Sequence, residues 1–174
     1  MKYAVVYVSG TGNTTKVARA IREALPAEDC VAFGAPGEAA RQADLIYAGF
    51  WTDRGDCCAW MAEFLESLSG KRVALFGTAG FDGSRSYYDT IFARAQKHLP
   101  AGNRVVGTYM CPGRMPQSVR DRYDAMLKTD PEDVQAKQMV ENWRRAYSHP
   151  DQYDLSEARS FARRVLEENS GSCG

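Results

Sequence analysis

Short apolar runs alternate along the chain with segments of helical period, the pattern of βαβ units wound into a parallel sheet. The run Tyr3 to Val8 reads as a first strand, and from near Asn13 a helix places Val17, Ala18, Ile21 and Leu25 on one face until Pro26 closes it. A weak second strand around Cys30 to Phe33 leads through Gly34-Ala35-Pro36-Gly37 into a short second helix that should end before Asp44. Leu45 to Phe50 makes a third strand, and a third helix carries Trp60, Phe64, Leu65 and Leu68 up to a stop at Gly70. Arg72 to Phe76 is the fourth strand, followed by a helix with Tyr88, Ile91, Phe92, Ala95 and Leu99 on its apolar face. The fifth strand is Arg104 to Met110, and the last helix, capped by Asp154, turns Leu155, Ala158, Phe161, Ala162, Val165 and Leu166 inward. Residues about 114–150 exceed what five such units need. Two helices are predicted there, one with the stripe Val119, Tyr123, Met126 and Leu127, the other starting at Asp130-Pro131-Glu132 and carrying Val140, Trp143 and Tyr147. They either pack on the rim or cover a substrate or partner site.

Composition adds limits. With 174 residues, 44% apolar and 25% charged, the chain falls within the range of one folded domain, 1–174. No apolar run reaches the length of a bilayer span. The apolar amino terminus runs into a glycine-rich turn without a cleavage pattern, so it is taken as a strand and the protein as cytoplasmic. Lysine plus arginine equals aspartate plus glutamate at 22 each, so no overall field draws the chain to nucleic acid or membrane, and partners must be recognised locally. The cysteines Cys30, Cys57, Cys58, Cys111 and Cys173 lack paired metal-ligand spacing and read as buried or idle thiols, with a redox role open only for the vicinal pair Cys57-Cys58. His98 and His149 lack companions at ligand spacing and are assigned nothing.

The chemistry starts at Ser9-Gly10-Thr11-Gly12-Asn13-Thr14-Thr15, between the first strand and the first helix. A helix amino terminus exposes unpaired N–H groups, glycines let backbone wrap an anion, and four of these seven residues (Ser9, Thr11, Thr14, Thr15) add hydroxyl donors. The loop holds no lysine or arginine, so it suits a terminal phosphate that stays bound rather than one that is transferred. Gly10-x-Gly12-x-x-Thr15 lacks the third glycine of a dinucleotide fingerprint, and Lys16 follows Thr15 where a triphosphate loop requires glycine. A receiver domain would need acids where Ser9 and Phe50 stand. A merely polar turn is the remaining alternative.

This stretch resembles the phosphate loop of the flavodoxin family, in which a hydroxyl residue, any residue, Thr, Gly, Asn and Thr follow strand one. The resemblance implies a doubly wound α/β fold with five parallel strands in the order 2-1-3-4-5, helices on both faces and one noncovalent FMN. It assigns the FMN phosphate to Ser9, Thr11, Gly12, Asn13 and Thr14. The turns after strands three and four, Gly49-Phe50-Trp51-Thr52-Asp53-Arg54-Gly55 and Gly77-Thr78-Ala79-Gly80-Phe81-Asp82-Gly83, should approach the same ligand at the topological switch point. Trp51 and Phe81 are the candidates to stack on the ring, and Gly55, Thr78 and Ala79 to meet its polar edge through backbone groups. Gly49, Phe50, Thr52 and Gly80 complete the cofactor set, Phe50 being suited to the core as well. Tyr87-Tyr88 and the end of strand five, Met110 to Met115, lie near the same mouth.

The function implied is electron transfer to a partner redox enzyme or from a reductase, by a monomer or weak dimer without a catalytic side chain. Alternatives are an FMN-dependent NAD(P)H:quinone or small-acceptor oxidoreductase and a non-enzymatic phosphate-ligand module. Arg54 would raise the flavin potential if it faces the ring, and Asp53 and Asp56 would lower it if they dominate. Shuttle flavodoxins are strongly acidic, which this chain is not, and it is also similar to short flavodoxin-like proteins of anaerobic bacteria, including accessory flavodoxins associated with bilirubin reduction.

Overall fold

The computed structural model describes residues 1–81 and 83–171, so Asp82 and Cys173 lie outside the described residues. Its strands are β1 (Tyr3–Tyr7), β2 (Cys30–Gly34), β3 (Leu45–Asp53), β4 (Asp56–Cys57), β5 (Arg72–Ala79) and β6 (Arg104–Pro112). Its helices are α1 (Asn13–Glu23), α2 (Ala59–Glu66), α3 (Arg85–Gln96), α4 (Gln117–Thr129), α5 (Val134–Ala146) and α6 (Gln152–Ser170). The five long strands are all parallel in the order β2-β1-β3-β5-β6. That is the expected sequence of strands, with one difference in detail: the two-residue β4, not foreseen, pairs antiparallel with the end of β3.

Both faces of the sheet are covered, so the central strands are apolar at consecutive positions. Alternate side chains sort to the two sides. Tyr3, Val5, Leu45, Tyr47 and Phe76 pack against Val17 and Ile21 of α1 and against Ala158, Phe161 and Val165 of α6. Ala4, Val6, Ile46, Phe50 and Leu75 pack against Met61 and Leu65 of α2 and Ile91 and Phe92 of α3. Two tyrosine hydroxyls meet α6 carbonyls, Tyr47 donating to Ala162 O at 2.7 Å and Tyr109 to Asp154 O at 2.6 Å. Buried hydroxyls are thereby satisfied and α6 is fixed over β3 and β6.

Several expectations need correcting. The second helix is a 3-10 turn, Glu38–Gln42. In α2 the buried stripe is Met61, Phe64 and Leu65, continued by Leu68, while Trp60 is 54% exposed. Met61 stands at i, i+3, i+4 and i+7 with the other three, and one residue earlier lies about 100° around the helix. Tyr88 and Leu99 are half-buried flanks of the α3 core. The cap of α6 is Asp151, and Asp154 is its partner three residues on: Asp154 N–H donates to Asp151 Oδ1 and Asp151 N–H to Asp154 Oδ2, a reciprocal capping box. Strands β3, β5 and β6 run past the expected ends, to Asp53, Ala79 and Pro112, because ladder pairing such as Trp51 with Thr78 and Thr78 with Cys111 continues beyond the apolar runs. Pro112 is tolerated because β6 is an edge strand.

The extra segment after β6 is helical as predicted, α4 packing on α5, but α5 starts at Val134 behind the cap Asp133 rather than at Asp130, which ends α4, and no residue of α4 is fully buried. Its two ends meet: Arg114 N–H donates to His149 O at 2.9 Å. Among the described residues no helix is long and apolar enough to cross a membrane.

Candidate functional site

The carboxyl ends of β1, β3, β5 and β6 converge on one edge, where the turn from β1 enters α1. Gly12 caps that helix with φ +90, a left-handed value that costs glycine little, and its N–H donates to Ser9 Oγ at 3.1 Å. No side chain caps α1, so the N–H groups of its first turn, Asn13 to Thr15, are left for a ligand. Thr14 Oγ1 lies 3.0 Å from Thr78 Oγ1, both residues buried, and Thr52 Oγ1 donates to Thr78 O at 3.1 Å, which ties the ends of α1, β5 and β3 together. Asn13 Nδ2 donates to Thr11 Oγ1 at 3.2 Å and to Arg114 O at 2.8 Å, so the loop after β6 closes the fourth side. Gly113 makes that closure possible: a Cβ there would sit 3.0 Å from Asn13 Nδ2 and 3.1 Å from Thr78 Cβ.

These contacts enclose a cleft of about 320 Å³ lined by Ser9, Gly10, Thr11, Asn13, Thr14, Trp51, Thr52, Thr78, Gly80, Gly113, Arg114, Met115 and Pro116. It opens into a larger one of about 640 Å³, which shares Trp51, Thr52, Gly80 and Met115 and adds Arg54, Gly55, Ala79, Phe81, Tyr87, Arg94, Val119, Arg122 and Tyr123. Trp51 is 37% and Phe81 45% exposed, apolar rings left in water on the walls of the larger cleft. Phe81 meets Tyr87 edge-on at 5.5 Å. The third side is the β3–β4 hairpin, whose turn residues Arg54 and Gly55 both have positive φ, 49° and 80°. Such a two-residue turn matches the twist of an antiparallel pair and holds the hairpin upright beside the cleft. Arg94 Nη1 of α3 donates to Gly55 O at 3.2 Å. His98, near the end of α3, reaches the same hairpin, with Nε2 3.3 Å from Asp56 Oδ2 and Nδ1 3.1 Å from Glu66 Oε1.

The structure brings twelve of the fourteen proposed cofactor residues together at these clefts: Ser9, Thr11, Asn13, Thr14, Trp51, Thr52, Thr78 and Gly80 line the smaller, Gly55, Ala79 and Phe81 the larger, and Gly12 forms the turn beneath. Gly49 and Phe50 line neither. Phe50 is fully buried, its ring 6.1 Å from that of Phe92, and Gly49 leaves room for the ring of Phe76. Outside the fourteen, Gly10 and Arg54 also line the clefts, as do Gly113, Arg114 and Met115 from the segment expected near this mouth, whereas Pro116 and, from the helices, Arg94, Val119, Arg122 and Tyr123 were not foreseen there. Tyr87 does line the mouth. The thiols stay neutral: burial, with Asp56 adding to it, pushes Cys57 up to about 12, and burial raises Cys58 and Cys111 as well. A buried thiol held protonated is a poor nucleophile, so the vicinal pair belongs to the core under the hairpin.

The model of the flavodoxin domain family matches residues 4–163. The chain belongs to the flavodoxin family. It is 38% identical over 179 aligned residues, 92% of this chain and 94% of the other, to the flavodoxin-like domain-containing protein BilS of Clostridium symbiosum. The BilS protein of Clostridioides difficile is 31% identical over 173 residues, 95% of this chain and 97% of that one. Oxidised flavodoxin 2 of Bacillus cereus has the same fold, with a TM-score of 0.56 at 21% identity over 97% of this chain and 99% of that structure. FMN is the cofactor of this flavodoxin family, and the residues present fit it. The smaller cleft offers hydroxyls and the first-turn N–H groups of α1, with no carboxylate on its wall among the described residues, which suits a phosphate tail. The larger offers exposed aromatic rings and backbone turns, which suit a flat apolar ring with one polar edge.

Proposed function

We propose that this flavodoxin carries electrons on a noncovalent FMN and delivers them to a partner redox enzyme. One observation supports the reading above all: a phosphate cradle at the head of α1, its loop Ser9 to Thr15 free of charged residues, adjoins the cleft walled by Trp51 and Phe81. FMN, when bound, supplies the redox chemistry of its ring. The chain's part is to hold and orient it. Ser9, Thr11, Asn13 and Thr14 fix the phosphate end, aided by the positive end of the α1 dipole. Trp51 and Phe81 exchange water for the ring, each contact adding roughly 0.5–1.5 kcal/mol beyond area burial. Gly55, Ala79 and Gly80 line the cleft where the ring's polar edge would lie, the Gly55 carbonyl already accepting from Arg94 and the Ala79 carbonyl from Gly113 N–H.

The finer proposal concerns the partner. Both curated relatives are named BilS, and the sequence resembles accessory flavodoxins associated with bilirubin reduction, so we place the acceptor among bilirubin-reducing enzymes. The test begins with colour. Purified protein should be yellow or become so with FMN, and should consume no NAD(P)H until a reductase is supplied. Thr11→Asp places a carboxylate against the phosphate and should abolish tight FMN binding. Full retention of FMN by that variant would contradict the cradle, and direct NAD(P)H oxidation by the isolated protein would make it an oxidoreductase instead.

A further inference from the structure

The larger cleft carries charge that holding FMN does not require. Arg54 from the β3–β4 turn, Arg94 from α3 and Arg122 from α4 all open onto it, and no carboxylate lines it among the described residues. None of the three guanidiniums belongs to an ion pair among the described residues. Three nearby acids have partners of their own, which leaves exposed Asp53, beside Arg54, as the acid that opposes the wall. Asp56 Oδ1 accepts from Cys57 N–H at 2.7 Å and its Oδ2 faces His98, while on α4 Asp124 holds Arg120 at 2.9 Å and Asp121 accepts from Gln117 at 3.0 Å. Arg94 is fixed by its bond to Gly55 O, and Arg122 stands 5.7 Å over the Tyr123 ring. An arginine keeps its charge at any working pH, so this positive wall is permanent.

Resting on the FMN reading above, we propose that Arg54, Arg94 and Arg122 form a cationic collar that binds the reduced, anionic FMN ring more tightly than the oxidised, neutral one. Reduction takes up two electrons and one proton, supplied by a partner reductase or, in the test, by dithionite and water. The ring then bears one negative charge. The oxidised ring gains little from the collar, whereas the reduced ring gains three attractive partners, exposed and therefore screened by salt. By linkage, tighter binding of the reduced form makes the flavin easier to reduce. The collar is assembled from three elements, and Arg122 comes from the segment after β6 that a five-unit fold does not need.

The experiment is a dithionite titration of the FMN-loaded protein against a reference dye, with FMN dissociation constants measured in both oxidation states. Wild type is compared with Arg54→Gln, Arg94→Gln, Arg122→Gln and the triple variant. Each single change should weaken reduced FMN relative to oxidised FMN by about twofold to fivefold, as expected of exposed charges, and the potential should become more negative. High salt should do the same to wild type and have less effect on the triple variant, so the salt series decides even where a variant folds poorly. A triple variant that binds oxidised FMN as before and keeps the wild-type potential overturns the collar. A wild-type protein that takes up no FMN removes the function proposed above instead.

Discussion

A Cβ at Gly49 would run into the ring of Phe76, which fills the floor beneath the site. Gly49→Ala should therefore cost roughly 1–3 kcal/mol of stability through overpacking, read from denaturant unfolding of the apoprotein. Its neighbour two positions on lines both clefts and is the residue proposed to meet the ring. Trp51→Ala should weaken FMN roughly tenfold in a fluorescence titration, and an unchanged dissociation constant would take the indole out of the site. Phe50 and Trp51 show where residue-level reading succeeds and where it stops. Adjacent residues of a strand face opposite sides, but which side holds the ligand depends on how far the strand continues, and β3 continues to Asp53 through pairing the sequence does not display. Ser9, Thr11 and Thr14 were readable because their chemistry is local to one turn. Gly113 was not, because its meaning lies in Asn13 and Thr78, which are distant in the chain.

Among the elements, the β3–β4 hairpin forms one wall of the larger cleft and is tied to the body by Arg94 and His98. Two-residue β4 has no periodicity to read, so the hairpin became visible only in the fold. His98 ties it to α3 and α2. Burial pulls that imidazole down, and hydrogen bonds and charge from Glu66 and Asp56 more than offset it, so its pKa rises above 6.5. A raised folded value means that the protonated ring adds stability in full below the unfolded pKa of 6.5, and that this is lost as pH climbs through the folded value. His98→Ala should accordingly melt below wild type in mildly acid buffer, with the gap closing above neutrality. A gap that does not change with pH would mean that the ring acts only by packing. The long amphipathic helices α1 and α6 were legible because their stripes recur over several turns, whereas α2, at eight residues, misled by one position and put Trp60 in the place of Met61.

For the molecule as a whole, equal numbers of cations and anions conceal an uneven distribution, with three arginines gathered at the larger cleft. Composition cannot report such clustering, so the sequence left the balance between Arg54 and its acidic neighbours open. The alternation of strands and helices was enough to give a parallel sheet, while its strand order came from the resemblance to the flavodoxin family. How α4 and α5 dock was not, since the α4 stripe is only half-buried and a half-buried stripe does not name its partner. Because FMN should bind only the folded chain, a concentration 100 times its dissociation constant should stabilise the protein by about 2.7 kcal/mol, a rise in Tm of roughly 5–10 °C. Absence of any rise would argue against a preformed cradle. The bond between Arg114 and His149 has a further consequence, since the intervening chain leaves and rejoins the body at one address. The framework beneath is then largely indifferent to how much polypeptide hangs from that point, doubling it costing only about 0.6 kcal/mol in closure. Foreign modules grafted between these two residues should leave the sheet intact, and lineages could exchange this outgrowth to suit new clients without rebuilding the protein that carries it.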